Sequence, residues 1–281
     1  MKDLAIIIVN INNKKILEEC INSIYQSTNN LDFEIIVVDN GSTDGTQSML
    51  RSKFRDIKLI DNQENLGFSK ANNQGISSSE ARYYLLLNND TIVKNLAINK
   101  MLEFMDEHHE AGACGPKLLN IDGTIQQQGG LLGKKFWLSH KPVSVDFVIG
   151  AALMVKRVVI QKVGLMDENL FFYNDDLDWC KSIRKAGWKI YFIPQAEIVH
   201  YGGYSSNRTF NPRLFVEGFK GGLYFCRKHY GEFAYNCYRL LLSLFLSVSL
   251  PFFLRDIQKF RAYLSVISVS WHGQIPKPMV K

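Results

Sequence analysis

The chain has 281 residues, of which 46% are hydrophobic and 21% are charged. This composition is ordinary for a globular protein, so we expect no extended disorder, and the length suits one large domain or one domain with an appended element. The five cysteines are scattered, odd in number and without CxxC spacing. That pattern favours reduced thiols in a cytoplasmic protein and argues against a zinc module.

The net charge of +6 is unevenly placed along the chain. Residues 207–281 carry 11 Lys and Arg against 3 Asp and Glu, whereas residues 1–206 carry 22 against 24. A nearly neutral body with a basic tail predicts that the tail meets an anionic surface. The tail contains no recognisable nucleic-acid reader motif, so we expect no nucleic-acid partner.

The first part of the chain alternates between apolar runs and helical patterns. Buried strands are predicted at 4–9, 33–38, 58–60 and 83–87. Helices are predicted at 16–24, from Thr43 or Asp44, and at 69–77, the first capped by Asn12 or Asn13. The first strand follows the amino terminus directly, so we expect no secretory signal. This alternation is typical of a nucleotide-binding half-domain whose strands end at one edge.

The rest of the chain is predicted to differ from this pattern. Gly115–Phe147 reads as loop-rich with strand fragments. Further on, helices are predicted at 158–163 and 177–186, a strand at 188–193, and long aromatic-rich helices from Phe215. We therefore expect a first domain over 1–206, with a nucleotide half at about 1–92 and an acceptor half at about 93–206, and a helical extension over 207–281.

Leu240–Leu254 is apolar apart from three serines and one proline, and Arg239 and Arg255 flank it. It is shorter than the roughly 20 residues that span a bilayer as a helix. One interpretation is an interfacial anchor at the cytoplasmic face of the membrane. The other is a core helix of a small appendage or an oligomer interface, which leaves a homo-oligomer open.

Polar residues follow the predicted strands. The run Leu85–Asp90 passes from three leucines to two asparagines and a carboxylate, which makes Asp90 a candidate Mg²⁺ ligand or part of a plain turn. Asp39 ends the second strand beside two turn-forming glycines, Gly41 and Gly45, where it can accept from a base N–H or a ribose hydroxyl. A plain turn is the alternative here too. Without a GxGxxG motif, a dinucleotide cofactor is not expected.

The segment Asn65–Asn73 enters a helix. Gly67 permits close backbone approach, and Lys70 and the helix amino terminus both favour phosphate. The alternative is a capped helix start.

A second acidic cluster consists of Asp175, Asp176 and Asp178. Neighbouring carboxylates raise a pKa towards the range of a general base. The alternative is helix capping by Asp175 or Asp176, with the other carboxylates solvated.

His200 lies beside a glycine-rich loop, and it is a candidate metal ligand or phosphate contact, or a structural histidine. The pair Gly202-Gly203 is a candidate hinge for a lid over the site.

Seven segments together resemble one family. They are 6–13, 37–46, 65–76, 85–93, 145–157, 164–180 and 187–203. The chain resembles the inverting glycosyltransferases of family 2, and within them bacterial rhamnosyltransferases and related cell-surface polysaccharide enzymes. The resemblance implies an α/β fold of the A type, a Rossmann-like, mostly parallel central sheet flanked by helices, with a C-terminal helical extension.

The resemblance also implies roles for these residues. Nucleotide contacts are implied for Asp39 (base), Asn88 (ribose), and Asn65, Gly67, Asn72 and Asn73 (nucleotide and diphosphate pocket). Mg²⁺ or Mn²⁺ is implied at Asp90 and His200. Asp176 is implied as the general base, with Asp175 where the family has Glu. The sequence departs from the family at Asn88, which stands where the metal motif has its first Asp.

The implied donor is dTDP-rhamnose first, then UDP-galactose, UDP-glucose or UDP-N-acetylglucosamine. The implied acceptor is a saccharide or lipid-linked saccharide in bacterial cell-surface polysaccharide synthesis, such as O-antigen or capsule. Two other functions stay open, a catalytically silent nucleotide-sugar-binding scaffold and a nucleotidyltransferase. The latter's usual glycine-rich loop is missing from 9–13.

Overall fold

The computed structural model describes residues 1–128, 135–171, 173–202, 210–272 and 275. The chain divides into two compact units. The first, called the α/β unit here, comprises Met1–Asp167 and Asp176–Ser205. The second, called the helical unit, comprises Glu168–Asp175 and Ser206–Lys281.

Strands and helices alternate through the first unit. The strands are β1 (Lys2–Asn10), β2 (Phe33–Asn40), β3 (Lys58–Asn62), β4 (Ala81–Leu87), β5 (Thr91–Val93), β6 (Ala111–Leu119), β7 (Val143–Val145), β8 (Ala152–Lys156) and β9 (Lys189–His200). The helices are α1 (Lys14–Ser27), α2 (Thr46–Lys53), α3 (Phe68–Ser77), α4 (Ala97–Glu107), α5 (Arg157–Val163) and α6 (Asp175–Lys185).

All nine of these strands form one mixed sheet with the order β3-β2-β1-β4-β8-β6-β9-β5, and β7 pairs with β9. The first four strands run parallel, as predicted, and β6 runs parallel to β9. Strand β8 runs antiparallel between β4 and β6, and β5 and β7 are antiparallel to β9. The predicted mostly parallel sheet flanked by helices is confirmed.

Each face of the sheet has its own apolar core, and β1 contributes to both. Leu4, Ile6 and Ile8 pack in the cluster that contains α1, whereas Ala5 and Ile7 pack in the cluster that contains α3. Alternation of this kind is what a strand buried on both faces requires. Helix α3 approaches the sheet closely, because a Cβ at Gly75 would lie 2.5 Å from Ile7 Cγ2.

Two strands in the middle of the chain depart from the sequence prediction. Strand β6 covers Ala111–Leu119, part of which was expected to be loop-rich. Its glycines lower the β-propensity, but a Cβ at Gly115 would lie 2.8 Å from Val148, so the packing requires a residue without a side chain. Strand β9 continues through Pro194 to His200. Proline has no backbone N–H, but the β6–β9 register shifts at this point, so the ladder needs no backbone donor from residue 194.

The predicted cap of α1 is wrong. Asn13 makes no side-chain cap hydrogen bond, and Asn12 is turned to accept from Thr43 N at 2.8 Å. Asp44 replaces them, since its Oδ2 accepts from Lys14 N at 2.8 Å. The same carboxylate caps α2, where its Oδ1 accepts from Thr46 N at 3.1 Å. One aspartate therefore holds the starts of two helices.

The helical unit contains α7 (Pro212–Ser249), a 3-10 turn (Leu250–Phe253) and α8 (Ile257–His272). Asn211 caps α7, accepting from the backbone of Arg213 and Leu214 ahead of the favourable first-turn proline. Gly231 breaks the helix with φ 84° and ψ 178°. Leu242 and Leu246 pack with Val266 in the core of this unit.

The stretch Pro212–Phe253 is the one helix in the described part of the chain that is long and apolar enough, by length and composition alone, to cross a membrane.

Candidate active site

The candidate site lies where β1, β2 and β4 end. Asn10, the last residue of β1, is buried between the other two strand ends. Its Nδ2 donates to Asp39 Oδ1 at 3.1 Å, and its Oδ1 accepts from Asn89 Nδ2 at 2.6 Å. Asn10 thereby ties the second strand to the asparagine-rich turn after the fourth.

Asp39 is fully buried, and its carboxylate is satisfied from within the chain. Oδ1 accepts from Asn10 Nδ2 and the Ser42 hydroxyl, and Oδ2 accepts from Ser42 N at 3.0 Å and Gln47 Nε2 at 2.6 Å. Four donors match the lone-pair sites of a carboxylate. In this structure Asp39 therefore organises the loop before α2, and its predicted contact with a nucleotide base stays a prediction.

The loop before α3 is held by side-chain amides. Asn65 Oδ1 accepts from Gly67 N at 2.9 Å and from Asn40 Nδ2 at 3.3 Å. Gly67 has φ 86°, a conformation that favours glycine, and Asn40 Nδ2 also donates to its carbonyl. Lys70 is exposed on the first turn of α3. The loop is thus held in place by side-chain amides, with the exposed Lys70 ammonium beside the start of α3.

Asn72 and Asn73 lie on α3, where both are buried. Asn72 Nδ2 donates to Phe68 O at 3.0 Å. The Asn73 amide makes two bonds to one backbone unit, donating to Met166 O at 2.9 Å and accepting from Met166 N at 3.0 Å. The geometry gives Asn73 a packing role, and the predicted pocket contacts of both asparagines stay predictions.

The turn after β4 faces the end of β9. Thr91 pairs with His200 in the β5–β9 ladder, and Tyr201 N donates to Asp90 O at 2.9 Å. His200 Nε2 consequently lies 3.3 Å from both Asp90 Oδ1 and Asn88 Nδ2. Three of the predicted site residues are brought together here, although His200 is more than a hundred positions from Asn88 and Asp90 in sequence.

Asp90 Oδ1 is buried and has no hydrogen-bond partner among the described residues, although His200 Nε2 is close to it. A buried carboxylate oxygen without a donor is costly unless a cation meets it. A carboxylate oxygen and an imidazole nitrogen suit Mn²⁺, and Mg²⁺ is commonly held by one carboxylate together with substrate phosphates. The described residues contain no group of three His, Cys, Asp or Glu side chains that could form a complete cage. The residues present therefore fit a cation shared with a diphosphate.

Asp176 lies in the first turn of α6 with both carboxylate oxygens held by backbone. Oδ2 accepts from Gly150 N at 2.9 Å, and Oδ1 accepts from Leu177 N at 2.7 Å. Burial raises the pKa of Asp176, and these two hydrogen bonds oppose the shift without cancelling it. A raised pKa on a fixed carboxylate is what a general base requires.

The other two acidic residues of this cluster are buried. Asp175 is 6% exposed and Asp178 is 2% exposed, so the alternative in which the remaining carboxylates are solvated is wrong. Tyr173 and Asn174, just before α6, both have positive φ (65° and 63°). Two consecutive non-glycine residues keep this sparsely populated conformation only where the surrounding structure holds them in it, so this turn has a defined conformation.

Sequence reasoning missed several residues of the site. Asn10 had the same signal as Asp39, a polar residue ending an apolar strand, and could have been found. No sequence pattern indicated Gly150 or Gln126, because their roles depend on strands that the sequence did not reveal. Gln126 contacts His200 Nδ1 at 2.8 Å, and Gly150 N donates to Asp176. The predicted hinge includes Gly203, which lies outside the described residues.

Solved structures with a similar fold are glycosyltransferases. The mannosyltransferase PcManGT from Pyrobaculum calidifontis, in complex with GDP-Man and Mn²⁺, has a TM-score of 0.62 and 13% identity, covering 98% of this chain and 90% of that one. GalNAc-T7 with UDP, GalNAc and Mn²⁺ has a TM-score of 0.68 and 18% identity, covering 93% and 54%. The architecture is therefore that of the A-type glycosyltransferases.

The sequence comparisons define the family. The sequence model of glycosyl transferase family 2 matches residues 5–164, more than half of the chain. This chain belongs to glycosyltransferase family 2.

Its relatives include an N-acetylglucosaminyl-diphospho-decaprenol L-rhamnosyltransferase of Mycobacterium tuberculosis, 27% identical over 62% of this chain and 68% of the relative. Another is the dTDP-rhamnosyl transferase RfbF of Shigella flexneri, 30% identical over 59% of each.

Proposed function

We propose that this protein transfers a sugar from a nucleotide-diphosphate donor to a saccharide or lipid-linked saccharide in bacterial cell-surface polysaccharide synthesis. The observation that carries the proposal is the pair of Asp90 Oδ1 and His200 Nε2, 3.3 Å apart and not hydrogen-bonded, at the end of β4. The names of two relatives support rhamnose as the transferred sugar, and one of them prints dTDP as its carrier, so dTDP-rhamnose is the first donor to test, ahead of a UDP-hexose. The other relative's name gives a lipid-linked saccharide.

Asp90 and His200, together with the donor's diphosphate, would hold Mg²⁺ or Mn²⁺ in this proposal. When bound, it would neutralise charge that develops on the departing nucleoside diphosphate. Asn88 contributes an amide where the family's motif has a carboxylate, so the site carries one negative charge fewer. The Mn²⁺ in the two similar structures supports a divalent ion of this kind.

Asp176 is the proposed base. Its orientation is fixed by the backbone N–H groups of Gly150 and Leu177, so the carboxylate needs no reorganisation to accept a proton. The acceptor hydroxyl gives its proton to Asp176, and its oxygen attacks the anomeric carbon from the face opposite the diphosphate. One displacement of this kind inverts the anomeric configuration. Asp175 stands beside the base as a second proposed catalytic carboxylate.

The helical unit is proposed to rest on the cytoplasmic face of the membrane. The second half of α7 exposes a continuous apolar row, whose members are Leu240, Leu241, Leu244, Phe245 and Val248, each more than half exposed. The opposite side of the same helix packs on α8. An exposed apolar helix face in a basic segment is the pattern of an interfacial element, and it would place the enzyme next to a lipid-linked acceptor.

The test is a thermal-shift panel of dTDP-rhamnose, UDP-glucose, UDP-galactose and UDP-N-acetylglucosamine, each with and without Mn²⁺. A bound donor at a hundredfold excess over Kd stabilises the folded state by about 2.7 kcal/mol. We expect one donor to raise the melting temperature, and to do so only with the cation. If no donor raises it under either condition, the proposed donor binding, and the transfer that depends on it, is overturned.

A further inference from the structure

The chain folds back after β6 in a tight hairpin that brings Gln126 to the candidate metal site. Asn120 N donates to Thr124 O at 2.8 Å, and Gln126 N donates to Leu118 O at 2.8 Å. Gly123 occupies the turn with φ 82°. Because Leu119 pairs with Val199 in the β6–β9 ladder and with Ile125 in an isolated antiparallel bridge, the returning segment carries Gln126 alongside His200.

The hydrogen bonds of this hairpin have one allowed direction. The Asp122 carboxylate can only accept, so the Thr124 hydroxyl donates to its Oδ1 at 2.6 Å. Thr124 Oγ1 then accepts from Asn120 Nδ2 at 2.9 Å, which leaves Asn120 Oδ1 to accept from Gln126 Nε2 at 3.2 Å. Gln126 Nε2 also donates to the His200 carbonyl at 3.3 Å. Both acceptors of Gln126 Nε2 are oxygens, so its amide cannot be reversed.

Asp122 is suited to the first position in this series of hydrogen bonds. Its hydrogen bonds with the hydroxyl and backbone of Thr124 lower its pKa, so it stays an acceptor throughout the neutral range.

The fixed amide determines which nitrogen of His200 carries the proton. Gln126 Oε1 faces Nδ1 at 2.8 Å, and an oxygen there requires an N–H on Nδ1. In the neutral ring Nε2 then keeps its lone pair. This agrees with the other side of the ring, where Asn88 Nδ2 lies 3.3 Å from Nε2 and Asp90 Oδ1 receives no hydrogen bond from any residue that the structure describes.

We propose that Gln126 is a positioning residue that holds His200 as its Nδ1–H tautomer and thereby keeps the Nε2 lone pair directed at the position shared with Asp90. The proposal rests on the proposed function for the use of that position, but the tautomer belongs to the protein without any ligand. Partners of this kind on the far nitrogen orient metal-binding histidines and raise their basicity.

The first test is long-range ¹H–¹⁵N correlation NMR of the full chain with ¹⁵N-labelled histidine, without metal, at a pH where His200 is neutral. His200→Asn identifies the signals of this ring. We expect the Nδ1–H pattern in the wild type and in Gln126→Glu, which keeps an acceptor oxygen. In Gln126→Leu the population should move towards the Nε2–H form. Gln161→Leu, at an exposed position on α5, serves as the control and should leave the ring unchanged.

The second test is Mn²⁺ affinity in the presence of UDP or dTDP. Gln126→Leu should bind Mn²⁺ about 10–100-fold more weakly than the wild type and the control. A wild-type Nε2–H ring, or the same tautomer in Gln126→Leu, would overturn the role of Gln126. A correct tautomer with no Mn²⁺ binding by the wild type would overturn the proposed function and leave the positioning role standing.

Discussion

Asp176 has both oxygens held by backbone donors, and the raised pKa of this side chain follows from its burial. Asp176→Asn should leave donor affinity unchanged and lower kcat by about 10²–10⁴-fold, because the amide cannot take the acceptor's proton. Turnover and donor binding are measured on the same preparations. Near-normal turnover of the variant would remove Asp176 from the base role.

The same carboxylate predicts a pH dependence. A base works only when deprotonated, so kcat/KM should fall as the pH drops through the pKa of Asp176. Because that pKa is raised, the acid limb should lie above the value of about 3.9 for an ordinary aspartate. The pH profile of kcat/KM checks this, and Asp176→Asn should lack the limb. An acid limb at the ordinary aspartate position would contradict the assignment.

Single residues at strand ends were the most predictable part of the site. Asp39, Asn88 and Asp90 follow strongly apolar runs, and the ends of parallel strands meet at one edge. The sequence could not reveal that the Asp39 carboxylate accepts hydrogen bonds from Ser42 and Gln47, since hydrogen-bond partners within a loop depend on the exact path of the backbone. Partners on distant elements, such as Gln126, need the tertiary pairing.

At the scale of elements, the four parallel strands and their helices were predictable because apolar runs and helical spacing alternate without interruption. Strand β8 was missed because it runs antiparallel to its neighbours. It therefore lacks the alternation of strand and crossover helix by which the parallel strands were predicted. Strand β6 was partly missed because its glycines pack against Val148 and Trp188, a tertiary requirement that overrides strand propensity.

Helix α7 offers a test of packing within the helical unit. A Cβ at Gly221 would lie 2.8 Å from Asn174 Nδ2 and 3.3 Å from Leu170, in the segment that leads to Asp175. Gly221→Ala should therefore lose about 1–3 kcal/mol of stability by overpacking. A Cβ in the neighbouring Gly222→Ala would meet the Tyr238 hydroxyl at 3.3 Å and no backbone atom among the nearest contacts, so this variant should be neutral or gain up to about 1 kcal/mol from helix propensity. Equal melting temperatures for the two variants would show that this contact does not constrain the segment.

At the scale of the whole molecule, the apolar row on α7 makes a testable surface. The proposed membrane contact predicts that the protein co-sediments with phosphatidylglycerol vesicles. Phe245, which is 66% exposed, should contribute through burial in the lipid, so Phe245→Glu should weaken binding by at least about tenfold. Gln161→Glu adds the same charge on an exposed helix of the α/β unit and is the matched control.

A second copy of the chain is the rival occupant of that surface. In that case the wild type would sediment as a dimer without lipid, and Phe245→Glu would return it to a monomer. Loss of the dimer without any vesicle binding by the wild type would replace the membrane proposal with a homo-oligomer.

The central claim is that the end of β4 holds a divalent cation on the donor's diphosphate. Calorimetric titration of Mn²⁺ into the protein saturated with UDP or dTDP tests it most directly. The wild type and Asp56→Asn, which removes an exposed carboxylate, should bind the ion equally. The isosteric Asp90→Asn should bind Mn²⁺ more weakly than the wild type by more than the roughly 10–100-fold loss of affinity that a substitution outside the metal ligands causes. Equal Mn²⁺ affinity in Asp90→Asn and the wild type would contradict the account.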